Sequence, residues 1–402
     1  MLASDKITIG DKTFSLNTLI IKHATYLPIM KSLFTEEVFA QKANENFEAY
    51  LKRLFTILYK KDRHSALRVK LTKEERAKRK AELAAVADKR AKILSVLGVD
   101  VVKSNSASST ILFKNTGNSY KIKTDAIDEI EKAINTAFSY NKENTYSFSF
   151  GVELEFIGNP SKVAAFNEAM NALVGEDNYS TPMRYIHNSG EKWVLGTDGS
   201  VGPRAGDNQR FKGYELTSPI LHFDKPEELE QLKKVTELVK DVFEGFTNKS
   251  CGTHIHMSVS EEIFVDSSLA KFLARSYRKN EASLFDKLVP IHRRENRARF
   301  CLSCTEYSAW ERYRKLHMCS DNGSNKLHVE FRQLNGTLNY DSIIAWAKLQ
   351  KMFVELSLNT YKKAEDVETV NIKKLNLCDL ITSKEFDSNT IESFMVMSKM
   401  IA

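Results

Sequence analysis

Glu153 and Glu155 stand two residues apart inside "SFSFGVELEFIG" (147–158). Phe148, Phe150, Val152, Leu154 and Phe156 form one alternating set, and Ser149, Gly151, Glu153 and Glu155 form the other. A strand repeats every two residues, so the sets face opposite sides and the two carboxylates lie about 7 Å apart on the polar side. Three more segments follow the same rule. In "CGTHIHMSV", His254, His256 and Ser258 oppose Ile255, Met257 and Val259. In "KGYELTS", Gly213, Glu215 and Thr217 oppose Tyr214 and Leu216. In "KLHVEFRQL", His328, Glu330 and Arg332 oppose Leu327, Val329, Phe331 and Gln333. One such strand is the ordinary half-buried strand with a solvated face. Four in one region point to a single sheet with a polar, concave, functional face. On that face Glu153, Glu155, Glu215, Glu330 and His254 form a ligand set for a hard divalent ion, Mg2+ or Mn2+, because oxygen donors dominate and one imidazole is tolerated. Arg332 beside them suits neutralising phosphate charge. Plainer readings of single residues stay open: ordinary partly buried histidines at 254 and 256, an exposed strand residue at Glu215, and an Arg332 that only pairs with Glu330.

The elements that must position these residues follow from periodicity. Strand-like and helical segments alternate after Phe148, which predicts an α+β domain with antiparallel strands. Helices are expected over 160–175, 225–247, 266–289 and 340–363, with a polar loop from 176 to Gly190 and a strand–turn–strand through "KWVLGTDGS" and "KGYELTSPIL". Before Phe148 the pattern is mainly helical. A short hairpin is expected around Gly10-Asp11, a helix over 35–61, a second from Thr72 to Gly98, and an amphipathic helix over 125–138. Thr72 with Glu75 fits a capping box and Gly98 a C-terminal stop. "SNSASS" (104–109) reads as a flexible loop and 139–147 as a linker. The expected organisation is a mainly helical region over 1–147, a catalytic-type domain over 148–364 and an extension over 365–402 packing on it.

With 402 residues, 42% hydrophobic and 28% charged, the chain reads as a folded protein with room for more than one domain. No apolar run approaches the length of a membrane span, no secretory signal is visible, and five scattered cysteines fit a reducing cytosol. Residues 60–92 hold thirteen Lys and Arg against five Asp and Glu, a surplus of eight that exceeds the whole chain's +7. The basic character is therefore local. It suits an acidic partner or nucleic acid, and equally a solvated helix face. Cys301-x2-Cys304, His317 and Cys319 raise a zinc module, although their spacing is not that of a common finger and Trp310 and Tyr313 suggest a packed helix between them.

"FGVELEF", "TDGSVG…GYELTSPIL", "CGTHIHMSV" and "HVEFRQLNGTLNYDSIIAWAKL" together resemble, in order, the motifs of the amidoligases over about residues 148–360. These are carboxylate–amine ligases related to glutamine synthetase and glutamate–cysteine ligase. The resemblance implies a glutamine-synthetase-like antiparallel sheet whose concave face binds ATP and two or three divalent ions. It implies metal ligation by Glu153, Glu155, Glu215, His254 and Glu330, nucleotide phosphates near His256, and a phosphate contact at Arg332. It also implies that Asp198 of "TDGS" positions substrate or amine, and that Arg297 and Arg299 occupy a region of basic binding residues. One departure is visible: His317 and the polar loop of "YRKLHMCSDNGSNK" replace an asparagine-containing segment that many relatives carry before the Glu-x-Arg strand. The implied activity is ATP-dependent amide formation through an acyl phosphate, releasing ADP and phosphate. The alternatives are a degenerate ligase fold kept for binding, or a nucleic-acid-associated protein acting through 60–92.

Overall fold

The computed structural model describes residues 6–9, 12–15, 49–50, 73–105, 107–136, 146–182, 190–259, 263, 265–319, 326–383 and 385–401. The chain forms two compact units, Met1–Val86 and Ala87–Ala402. In the first, β1 (Lys6–Ile9) and β2 (Lys12–Ser15) pair antiparallel from Lys6↔Ser15 to Ile9↔Lys12. This is the hairpin expected around Gly10-Asp11. The helix expected over 35–61, apart from Ala49 and Tyr50, and basic residues 60–72 lie outside the described residues.

α1 (Lys73–Ser95) matches the helix expected from Thr72. Its basic residues do not all face solvent. Arg90 is buried and donates to Ser104 Oγ (3.2 Å), the Asn105 carbonyl and Thr124 Oγ1 (2.8 Å). Those acceptors belong to a three-stranded antiparallel sheet, β3 (Val99–Ser104), β4 (Ser108–Phe113) and β5 (Ser119–Lys123), and to the helix that follows it, α2 (Thr124–Thr136). Within "SNSASS", expected as a flexible loop, Ser104 ends β3 and Ser108 and Ser109 begin β4. Asn105 Oδ1 accepts from the Ala107 and Ser108 N–H groups at 2.9 Å each, the local closure that makes Asn a turn residue.

The second sheet has eight strands: β6 (Phe148–Gly158), β7 (Tyr179–Ser180), β8 (Trp193–Gly196), β9 (Lys212–Thr217), β10 (Leu221–His222), β11 (Thr253–Val259), β12 (Leu316–Met318) and β13 (His328–Phe331). Their order is β12-β13-β11-β6-β9-β8-β7, with β10 also on β6, and every pairing but β7–β8 is antiparallel. The alternation read from the sequence is realised. Phe148, Phe150, Val152, Leu154 and Phe156 are buried, as are Ile255, Met257, Val329, Phe331, Tyr214 and Leu216. This apolar face joins one large core with α3 (Val163–Val174), α4 (Pro226–Asp241), α5 (Ser267–Asn280) and α6 (Tyr340–Lys363). Ring contacts such as Phe331–Phe353 (6.2 Å between centroids) and Phe166–Phe243 (4.8 Å) tie strands and helices together.

α4 stops at Asp241, short of the expected 247, because the chain turns at Glu244, whose φ is +55°. α5 continues through a π-turn (Glu281–Phe285) to Leu288. No helix lies between Cys304 and Leu316. That stretch is turns, with Trp310 and Tyr313 exposed. The C-terminal helices α7 (Leu377–Ile381) and α8 (Ser388–Met397) pack on α2 and α6, and Ile401 bridges to Ile122 of β5. Among the described residues no helix is long and apolar enough to cross a membrane.

Candidate active site

Register places the polar residues in rows across the sheet. His254 lies opposite Glu153, and Glu155 lies opposite Glu215. His256 lies between Gly151 and Glu330, and Glu330 in turn lies opposite His317. The four segments read from the sequence therefore do share one face.

Two groups of oxygen-rich ligands result. In the first, Glu153, His254 and Glu330 bring donor atoms within 4.8 Å of one another. Glu153 Oε2 is 2.9 Å from His254 Nδ1, and Glu330 Oε1 is 3.5 Å from the same nitrogen. Burial opposes ionisation of Glu153, but His256 and His254 outweigh it and hold its carboxyl well below the usual range. Glu330 behaves alike: burial is overcome by His317, Arg332 and His256, and the group falls to about 2. Arg332 Nη1 donates to Glu330 Oε1, and Arg332 Nε donates to the Phe300 carbonyl at 3.3 Å.

The second group is Glu155, Asp198 and Glu215. Glu155 Oε2 accepts from the Gly252 N–H at 2.5 Å, and His254 Nε2 lies 3.6 Å from Glu155 Oε1. Asp198, just past β8, is steadied by the Ser200 N–H (2.6 Å) and hydroxyl (2.7 Å). Like charges opposite each other on a sheet are unfavourable. Partial burial, then Glu153, Glu155 and Asp198, push Glu215 up to about 9. A cation in this group would relieve that repulsion, so the donor set fits a hard divalent ion.

Two glycines make the packing possible. A Cβ at Gly252 would come within 2.6 Å of Arg293 Nη2 and 2.7 Å of His254 Nε2. A Cβ at Gly213 would meet the Val201 carbonyl oxygen at 2.1 Å. The glycines of "CGTHIH" and "KGYELTS" thus let loop and strand close around the polar face.

A cleft of about 280 Å³ opens on this face. Glu155, Asp198, His254 and Arg332 line it, together with Arg293, Arg312 and Tyr313, which sequence reasoning missed. Arg293 is buried and donates to the Arg332 and Leu334 carbonyls at 2.9 and 2.8 Å. It reaches the site from a turn, so no periodicity announces it. Glu153, Glu215 and Glu330 contact lining residues without lining the cleft themselves. Arg297 is drawn to Glu295 (3.6 Å) and lines no part of the cleft, and Arg299 lies over the Phe300 ring. His256 also lies off the cleft. Its Nε2 is 3.0 Å from Glu153 Oε1 and its Nδ1 is 2.9 Å from His328 Nε2. Cys301 and Cys304 are buried, join no group of potential metal ligands among the described residues, and burial pushes the Cys304 thiol up to about 12. The zinc module of Cys301, Cys304, His317 and Cys319 is therefore not assembled.

A mostly antiparallel sheet thus gathers carboxylates, histidines and arginines around one cleft. Residues 147–320 match the family model described as "Putative amidoligase enzyme". The match ends before Glu330 and Arg332, which the sheet places against residues inside it. A comparison with curated proteins gave no match.

Proposed function

We propose that the protein is an ATP-dependent ligase that joins a carboxylate to an amine. The supporting observation is the convergence of Glu153, Glu155, Glu215, Glu330 and His254 beside Arg332, with Glu215 pushed up to about 9 by burial and by the carboxylates of Glu153, Glu155 and Asp198. ATP and Mg2+ or Mn2+ are the partners this set suits. Bound divalent ions would shield the triphosphate and the charge that develops on transfer.

On this reading the substrate carboxylate attacks the terminal phosphorus of ATP, giving an acyl phosphate and ADP. The amine then attacks the acyl carbon, phosphate leaves, and an amide remains. Arg332, fixed by Glu330 and the Phe300 carbonyl, presents a guanidinium fork to the transferred group. Arg293 Nε is buried without a hydrogen-bond partner among the described residues, a donor to spare for an anion. Asp198, at the mouth with two hydrogen bonds orienting it, takes the ammonium proton. The carboxylate and amine are carried by a small molecule or by a peptide.

Thermal unfolding tests this directly. ATP with Mg2+ should stabilise the wild type by about 2.7 kcal/mol at a hundredfold excess over Kd. ATP without Mg2+ should do far less, and Glu153→Gln/Glu155→Gln should abolish the difference. No Mg2+-dependent shift at saturating ATP would refute the reading. With accepted substrates, AMP and pyrophosphate in place of ADP and phosphate would refute the acyl-phosphate route.

A further inference from the structure

The far end of the same polar face changes chemistry. His256 on β11, His328 on β13 and Cys319, one residue past β12, bring two ring nitrogens and a sulfur within 4.8 Å of one another. Their elements fix them there. His328 pairs with Ser258, so His256 is its diagonal neighbour on the same face. The Cys319 N–H donates to the His328 carbonyl at 2.9 Å, which sets Cys319 beside that histidine. We infer that His256, His328 and Cys319 form a site for a borderline-soft divalent transition-metal ion of the Zn2+ class, separate from the oxygen-rich groups.

Three observations carry this. First, the donors are nitrogen and sulfur, a set that selects zinc-like ions and disfavours Mg2+. Second, the spacing suits a tetrahedral ion. With Zn–N and Zn–S bonds of about 2.0–2.1 and 2.3 Å, ligand atoms sit about 3.4 Å (N to N) and 3.6 Å (N to S) apart. His256 Nδ1 and His328 Nε2 are 2.9 Å apart and must spread by about half an ångström. His317 Nδ1 lies 3.6 Å from Cys319 Sγ but faces Glu330 Oε2 at 3.0 Å, so the fourth position falls to water. Third, His256 has the outer support that metal-bound histidines use. Its Nε2–H donates to Glu153 Oε1 at 3.0 Å, which orients the ring and leaves Nδ1 as the ligand atom. His256 is thereby turned from the cleft, and Glu153 connects the two ends of the face. The inference does not rest on the ligase reading, because it concerns atoms that do not line the cleft.

Co2+ added to the full-length chain, stripped of metal beforehand, is the probe. The expected result is stoichiometric binding with a sulfur-to-cobalt charge-transfer band that excess Mg2+ does not remove and Zn2+ does. Cys319→Ser should abolish the band and His328→Asn should abolish tight binding. Glu153→Gln should weaken Co2+ about 10–100-fold while keeping the band. Glu215→Gln should leave band and affinity unchanged. A Co2+ spectrum without the charge-transfer band, or a band that survives Cys319→Ser, would overturn the assignment. A readout without substitutions guards against misfolded variants: Zn2+ should slow alkylation of Cys319 in the wild type, followed by peptide mass, where Mg2+ does not. Equal rates in both ions would overturn it as well.

Discussion

Two buried carboxylates in this molecule are treated in opposite ways. Glu392 of α8 lies against the three-stranded sheet and accepts from Thr116 Oγ1 (2.7 Å), Asn118 Nδ2 (2.8 Å) and Tyr120 Oη (2.8 Å). Every donor is neutral and every one is close. Glu155, on the eight-stranded sheet, faces Glu215 directly and has Asp198 as its neighbour. The first arrangement closes on itself. The second sets carboxyls against one another, and burial with its neighbours drives Glu215 to hold its proton up to about 9. A buried charge supplied with its own donors holds a fold together. One set against its like is held for a ligand, which is why perturbed groups mark functional clefts.

Substitutions test that contrast, and the largest effect falls in the cleft. Arg332→Lys keeps the charge but loses the fork aimed by Glu330 and Phe300. Turnover, read as ADP release with accepted substrates, should fall about 100–1000-fold, with little change in melting temperature. An unchanged rate would remove Arg332 from the reaction. Next comes Glu392→Ala, which removes the shared acceptor of three donors at the β4–β5 hairpin. It should cost about 2–4 kcal/mol in urea unfolding with activity per folded molecule retained. Glu215→Gln is the counterpart. In metal-free protein it should cost no more than about 0.5 kcal/mol, because it removes a repelled carboxyl and not a satisfied one. Equal losses in the two variants would break the comparison.

Much of the cleft was legible in the sequence because alternation decides which side of a strand each residue faces. Glu153, Glu155, Glu215, His254, Glu330 and Arg332 were all read from period two; register brings the first five together, and Arg332, one residue past β13, joins them through its bond to Glu330. What escaped lay where no period operates. Arg293 and Arg312 arrive from the turns between Leu288 and Leu316, where the family resemblance pointed instead to Arg297, which the structure leaves with Glu295. His328 was visible on the right face, but Cys319 was read only with Cys301, Cys304 and His317, because it sits beyond a three-residue strand too short to show alternation. The three-stranded sheet escaped for a related reason. Serine-rich "SNSASS" has a loop's composition, yet Ser108 and Ser109 are buried. Ser109 Oγ meets Ser104 Oγ at 2.9 Å across the connection, and the Ser108 N–H donates to Asn105. Composition describes solubility of a segment, and local hydrogen bonds decide its path.

A smaller effect than that of Glu392→Ala concerns how α8 is held so that Glu392 can reach its donors. Asp387 caps that helix: its Oδ1 accepts from the Thr390 N–H at 2.8 Å, while Oδ2 meets Lys348 Nζ of α6 at 2.5 Å. Partial burial opposes ionisation, but Lys348 and Thr390 outweigh it and keep the carboxyl below its usual range. A depressed carboxyl stabilises the fold above its unfolded pKa of about 3.9, and that contribution is lost as pH falls through the lower folded value. Asp387→Ala should cost about 1 kcal/mol at pH 7 through loss of the cap. Asp387→Asn keeps a capping oxygen and loses only a half-exposed ion pair, so it should cost no more than about 0.5 kcal/mol. Its deficit against wild type should shrink in urea unfolding repeated below the unfolded value of about 3.9, as the pH falls toward the lower folded value. If the asparagine variant instead loses as much as the alanine variant, the ion pair to α6, and not the cap, keeps α8 in place beneath the sheet.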